Sequence, residues 1–335
     1  MSKVLLFLAS LLVGVALLIG VIRFIGWQEI QSAFYFFSGW QGAVIILLTV
    51  AALFFGMWKW QIILKNQGYQ ISNKQLIPSY LAGFSIIYLF PMLLFGGEFF
   101  KGYVLREKFN IPLRKGMISI LIDKIIEETS FVISVIVGLI IFLFKIDELP
   151  PSNTSILIGS FLLVLIALFS YLYFKIFKKQ SIAIFFAKLL GRNHSLNGHA
   201  LEIEKEIFDF FKKRDRAFWA AFGLAFLRIG ATWARAWLLV LFLGKQIGAL
   251  TALSILGFYY LAIIIPIPAA LGTHEVIQTF SFSSLSIGAG TAAAFAIISR
   301  GAEMVLAVAG LLIFSKLGLG LLGAAFLRKI EKINI

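Results

Sequence analysis

The chain has 335 residues, of which 60% are hydrophobic and only 14% charged, where soluble domains hold about 45–50% and about 25%. At a mean hydropathy of +0.96, a water-soluble fold would expose apolar surface everywhere, so the composition specifies an integral membrane protein. The net charge of +14 then reads as basic loops facing anionic lipid headgroups, not nucleic acid, and the absence of cysteine excludes disulfides, thiol catalysis and cysteine-held metals.

A membrane span needs about 20 apolar residues. Residues 4–22 are uncharged behind Lys3, longer than a signal-peptide core and without a small-residue cleavage site, so a retained transmembrane helix is predicted. Residues 40–58, 75–97 and 149–174 are further uncharged runs. Residues 116–144, 216–244 and 291–314 are apolar helices that carry charges, and 246–273 is apolar and ends in Pro266-Ile267-Pro268-Ala269-Ala270-Leu271-Gly272. The polar stretch 175–216, with Glu202, Glu204, Lys205, Glu206 and Asp209 among Ile203, Ile207, Phe208 and Phe211, predicts an amphipathic cytoplasmic helix on the membrane surface within about 178–215. No soluble catalytic domain is expected.

Loop charge sets the topology. Residues 24–58 carry no Lys or Arg and face outward, but the next two loops are both basic: Lys59, Lys65 and Lys74, then Lys101, Arg106, Lys108, Arg114 and Lys115. Both can be cytoplasmic if 76–108 enters the membrane, turns near 91–97 and returns. The rest alternates if 248–290 re-enters from outside and the tail, with Lys316, Arg328, Lys329 and Lys332, is inside. The expected fold class is therefore an all-α polytopic membrane protein, a single domain over 1–335 with six crossing helices and two re-entrant hairpins.

An internal repeat points the same way. Gly83, Pro91, Gly97, Glu98, Lys124 and Glu127 recur as Gly257, Pro266, Gly272, Glu275, Arg300 and Glu303, at offsets of 174 to 177. The repeat halves are about 76–144 and 248–316. Broken helices at corresponding positions of inverted halves are the sequence pointer to a transporter site. The tips are expected at Pro91, Gly96 and Gly97, and at Pro266, Pro268 and Gly272.

Gly97-Glu98-Phe99-Phe100-Lys101 and Pro266-Ile267-Pro268-Ala269-Ala270-Leu271-Gly272-Thr273-His274-Glu275, with Asp123-Lys124 between them, resemble the lysylphosphatidylglycerol synthase transmembrane (flippase-like) family over nearly the whole chain. In that family Lys101 and Lys124 would be arginines, and Ala269 and Ala270 glycines. The lysines forgo bidentate phosphate gripping and the alanines stiffen the second tip. The family's aminoacylating members carry a C-terminal transferase domain, so the resemblance implies the lipid-translocating half alone, in a bacterial or archaeal cytoplasmic membrane with both termini cytoplasmic.

Intramembrane charges cost about 2.5–3.5 kcal/mol each on insertion scales and so face protein or a wet cavity. The candidate site residues are Glu98, Lys101, Asp123, Lys124, Glu127, Arg228, Arg235, Glu275, Arg300 and Glu303. Lys124 precedes Glu127 and Glu128 on one helix face, Arg228 and Arg235 share another, and Arg300 precedes Glu303 by three. They read as a ladder of cations for a lipid phosphate, or as static ion pairs between helices. Glu98 and Glu275 fall in first helical turns, where a carboxylate is favoured in any case; Glu275 is the expected proton carrier and Glu98 a fixed partner.

Enzyme motifs fail. His274-Glu275 begins a zincin-like pattern, but Gln278 stands where the second histidine is needed; His194 and His199 are too few for zinc. Trp27, Trp40, Trp58, Trp60, Trp219, Trp233 and Trp237 read as belt or core residues. No metal and no cofactor are expected. The expected function is non-enzymatic flipping of a phospholipid or lipid-linked headgroup, with an anionic lipid as partner, as a homo-oligomer or beside a separate lipid-synthesising enzyme. The alternatives are a headgroup-modifying enzyme with Glu98, Asp123 or Glu275 as general base, and a non-transporting scaffold subunit.

Overall fold

A computed structural model describes residues 39–91, 96–145, 198–264 and 267–331, with a few isolated positions elsewhere. The predicted helices over 4–22 and 149–174, together with Pro266, His194 and the 178–197 part of the amphipathic segment, lie outside the described residues. Among the described residues there are nine α-helices and one 3-10 turn. They are α1 (Gly39–Asn66), α2 (Asn73–Leu89), α3 (Gly96–Phe109), α4 (Leu113–Lys145), α5 (Gly198–Lys213), α6 (Arg216–Phe242), α7 (Ala249–Ile264), the 3-10 turn Pro268–Ala270, α8 (Thr273–Ser284) and α9 (Ala289–Glu331). Four segments among the described residues are long and apolar enough to cross a membrane: α1, α4, α6 and Ala289–Leu317 of α9.

The breaks follow local chemistry. The Gln75 side chain accepts the Ser72 backbone N–H at 3.1 Å at the start of α2, and Asp215 accepts the Phe218 N–H at 3.0 Å at the start of α6, each meeting a donor that helix geometry leaves unpaired. Pro91 follows the last turn of α2, where a missing N–H and a fixed φ discourage continuation. Before α8 the chain needs left-handed backbone twice, at Ala270 (φ 50°) and Gly272 (φ 77°). Gly272 adopts this freely; Ala270, where the resembled family has glycine, carries a Cβ against its own carbonyl.

The short helices pack crosswise. α2 lies on α9 and α7 lies on α4, while α2 contacts α3 and α7 contacts α8. The two crosswise contacts are close enough to require glycine. A Cβ on Gly138 of α4 would meet the Leu253 carbonyl at 2.7 Å and Gly257 Cα at 2.8 Å, and a Cβ on Gly310 of α9 would collide with Ser85 Oγ and the Leu81 carbonyl. α1 and α6 pack along one another between these pairs.

Three expectations change. The helix predicted to end at Trp58 runs on to Asn66, so Lys59 is a buried helix residue and not a loop cation. The last helix extends well past residue 314. The amphipathic α5 turns its apolar face to protein, not lipid: Ile207, Phe208 and Phe211 bury against Ile118, Ile122, Ile126 and Ala221. Arg114 and Lys115 reach Glu206 at 2.8 and 2.6 Å, and Arg114 also reaches Glu202 at 2.7 Å. An apolar face of aromatic and branched side chains finds a partner of equal apolarity on α4, and the acidic face is held by the basic start of that helix.

Candidate functional site

A cavity of about 510 Å³ opens among α1, α2, α3, α4, α6, α7 and α9. Among the residues lining it are Thr49, Thr232, several tyrosines and ten charged side chains: Glu98, Lys101, Asp123, Lys124, Glu127, Glu128, Arg228, Arg235, Arg300 and Glu303. Nine of the ten residues predicted from sequence are therefore brought together. Glu275 is not among the lining residues; it is buried at the start of α8, and its Oε2 has no hydrogen-bond partner. Of the predicted tips, Gly96 and Gly97 begin α3, Pro91 lines the cavity, Pro268 starts the 3-10 turn and Gly272 caps α8.

The charges form two clusters. In the first, Lys59 Nζ lies 3.1 Å from Asp123 Oδ1 and 3.1 Å from Glu127 Oε2, and Arg228 Nη1 lies 2.9 Å from Glu127 Oε1. Arg228 Nη1 also donates to the Tyr80 hydroxyl at 3.3 Å. Gly56 of α1 leaves room for that contact, since a Cβ there would meet Arg228 Nη1 at 2.9 Å and collide with the Tyr80 hydroxyl. Lys124 pairs with Glu128 at 3.1 Å and approaches Glu98 at 3.9 Å. In the second cluster, Glu303 accepts from Arg300 at 2.6 Å, from Arg235 at 2.9 Å and from the Tyr259 hydroxyl. Arg235 donates further to Thr49 at 3.1 Å and to Tyr259 at 2.7 Å, and the Arg300 guanidinium stacks on Tyr88 at 4.4 Å. Arg228 and Arg235 do share one face of α6, and each takes a different acid.

Sequence reading missed Lys59, Trp60 and the tyrosines. A signal for Lys59 exists: it precedes Arg235 by 176 residues, the same interval that separates Lys124 from Arg300 and Glu127 from Glu303. The structure gives that interval a geometry, because Lys59–Glu127 and Arg235–Glu303 are both ion pairs, at 3.1 and 2.9 Å. Trp60 is buried in the first cluster, its indole N–H donating to Ser119 Oγ at 3.1 Å. Nothing in the pattern of tryptophans separated it from Trp40 and Trp219, which are exposed at the belt.

Chemically, the cavity offers fixed charges, tyrosine and threonine hydroxyls and an apolar remainder. Among the described residues, no three His, Cys, Asp or Glu side chains are grouped to hold a metal ion.

Two comparisons bear on identity. A UPF0104 membrane protein of Methanocaldococcus jannaschii is 25% identical over 266 residues, covering 77% of this chain and 78% of its own length. No solved structure matches. The family model described as the lysylphosphatidylglycerol synthase TM region matches residues 7–310. With its buried charges, its paired short helices and most of its apolar spans inside that match, this chain is an integral membrane protein of the lysylphosphatidylglycerol synthase transmembrane-region family.

Proposed function

We propose that the protein flips a phospholipid across the membrane, with the headgroup passing through the charged cavity and the acyl chains remaining in lipid. The observation that carries this reading is the cavity itself: ten charged side chains around about 510 Å³, in a chain where each intramembrane charge is expensive and marks a pathway by default. No reaction is required of them, and we read the chain as a non-catalytic carrier in the cytoplasmic membrane with cytoplasmic termini.

The mechanism rests on two re-entrant hairpins, α2–α3 and α7–α8, in an inverted repeat. Helices of 17 and 14, and of 16 and 12 residues, are mostly short for a crossing at 1.5 Å per residue. The crosswise packing of α2 on α9 and α7 on α4, and the 176-residue interval of the ion pairs, support equivalence of the halves. Each hairpin then leans on the long helix of the other half, so rocking one half against the other would open the cavity to alternate faces. α6 supplies Arg228 to the acid of the first half and Arg235 to that of the second, and so couples them.

Two measurements test this. Reconstituted in vesicles, the protein should speed the flip of a fluorescent phospholipid, read by loss of protection from an external quencher. Arg228→Gln should slow it at least tenfold while leaving the fold intact, because Glu127 keeps Lys59. No acceleration by wild-type protein would end the carrier reading. For the first hairpin, single cysteines at Asn66 and Asn110 should both react from the cytoplasmic side; labelling from opposite faces would make α2–α3 a crossing.

A further inference from the structure

The residues lining the cavity include five acids and five bases, and Lys59, buried behind the wall against Asp123 and Glu127, is a sixth base. Nearly all are committed to one another: Lys124 to Glu128, Arg228 to Glu127, and Arg235 and Arg300 to Glu303. Asp123 is held by Lys59 from behind the wall. A phosphate entering this space finds an excess of a single positive charge, and a multiply charged anion would leave uncompensated charge in a medium of low dielectric.

One cation differs. Lys101 is 94% buried, being 6% exposed, and lines the cavity. Among the described residues it has neither a carboxylate at ion-pair distance nor a hydrogen-bond acceptor. Its ammonium is held instead over two rings, 5.2 Å from the centre of Trp60 and 5.1 Å from that of Tyr80. Rings stabilise a cation but donate no acceptor lone pair to its N–H bonds, so all three donors stay available to a ligand. Three residues earlier, on the same face of α3, Glu98 also lines the cavity, and among the described residues its one cation at ion-pair distance is Lys124, at a long 3.9 Å. The pair offers one available positive charge and one weakly held negative charge, a single helical turn apart.

We infer that the cavity selects a zwitterionic phospholipid headgroup, a phosphodiester bound by Lys101 with an adjacent ammonium bound by Glu98, in preference to a net-anionic headgroup. This rests on the carrier reading for its purpose but not for its test, because binding is measured without transport. Lys101 fixes the phosphodiester oxygens and Glu98 accepts from the ammonium, so each end of the headgroup meets a side chain of opposite charge, whereas a headgroup without an ammonium leaves Glu98 unanswered.

The test uses the full chain in detergent, titrated with short-chain phosphatidylethanolamine and phosphatidylglycerol and read by calorimetry. The ethanolamine lipid should bind roughly tenfold more tightly, the effect of one charge-assisted hydrogen bond. Glu98→Gln should remove that preference and leave the glycerol lipid within twofold. Lys101→Gln should weaken both at least tenfold, and Lys101→Arg should restore most of the loss. Equal or tighter binding of phosphatidylglycerol by wild-type protein overturns the inference without reference to any variant, as does a Glu98→Gln variant that weakens both lipids alike. If vesicles flip phosphatidylglycerol as fast as phosphatidylethanolamine, the selectivity is wrong and the carrier reading survives; if neither lipid is flipped although the ethanolamine preference is measured, the reverse holds.

Discussion

The clusters around Glu127 and Glu303 use the same kinds of residue, yet they differ in how open they are. Beside Glu127, Lys124 and Glu128 are 34% and 52% exposed in their side chains, Lys101 holds no carboxylate, and Glu98 is held only at long range. Around Glu303 every side chain is closed in: Arg235, Arg300 and Tyr259 all turn on one carboxylate, and Arg235 is only 4% exposed. The difference lies in what α3 and α8 contribute. α3 carries Glu98 and Lys101 into the cavity, whereas α8 turns His274 and Gln278 into the protein, with His274 packed edge-on to Tyr259 at 4.8 Å between ring centres. The first half thus holds the charges a ligand can reach, and the second half holds a clamp.

That contrast can be broken most sharply at Glu303. Glu303→Gln removes the carboxylate that Arg235 and Arg300 share, and removing one partner of a buried pair costs about 3–5 kcal/mol; the thermal transition in detergent should fall steeply or disappear. Glu127→Gln should cost about half as much, because Lys59 keeps Asp123 at 3.1 Å. Equal losses would mean that the second cluster is no more of a clamp than the first. Next in size is the crosswise packing. Gly138→Val places a Cβ within 2.7 Å of a backbone carbonyl and should cost about 1–3 kcal/mol or more, as overpacking does, with a similar loss for Gly310→Val. A loss confined to one of the two positions would show that only one half depends on the other's hairpin.

The smallest effect lies outside both clusters and calibrates them. Asp215 is slightly raised by burial, but the Phe218 N–H and the Asn66 side chain, which donates at 3.0 Å, together pull it below the usual carboxylate range. A carboxylate depressed on folding contributes stability that is complete above its unfolded value, about 3.9, and that is lost as pH falls through the lower folded value. Asp215→Ala should cost about 1 kcal/mol at neutral pH, and the gap to wild type should narrow on acidification below about pH 4. A gap independent of pH would assign the loss to packing and not to the cap.

Much of the site could be read before the fold, because a charge inside an apolar run is conspicuous and costly, and such residues must converge. Arg228 and Arg235 at an interval of seven, and Arg300 three before Glu303, share helix faces by periodicity alone. Lys59 was hidden because it sits one residue beyond an uncharged run, where a cation reads equally well as a loop anchor; only its burial at 0% exposure tells the two apart. Glu275 was over-read for the opposite reason. The offset relating it to Glu98 is real in the sequence, but helix rotation decides which face a first-turn carboxylate presents, and α8 presents Glu275 to protein.

By itself, then, the sequence determined the solvent, the helical class, the positions of the breaks and which residues could not face lipid, since each follows from local composition and from the cost of an unpaired charge in hydrocarbon. Tertiary structure decided the rest. It chose which acid each cation takes, left the Lys101 ammonium between Trp60 and Tyr80 with no carboxylate at ion-pair distance among the described residues, laid α5 on protein instead of on lipid, and set α2 against α9 and α7 against α4. Those outcomes depend on distances of a few ångströms between segments far apart in the chain, where packing and Coulomb energy, not periodicity, select the partner.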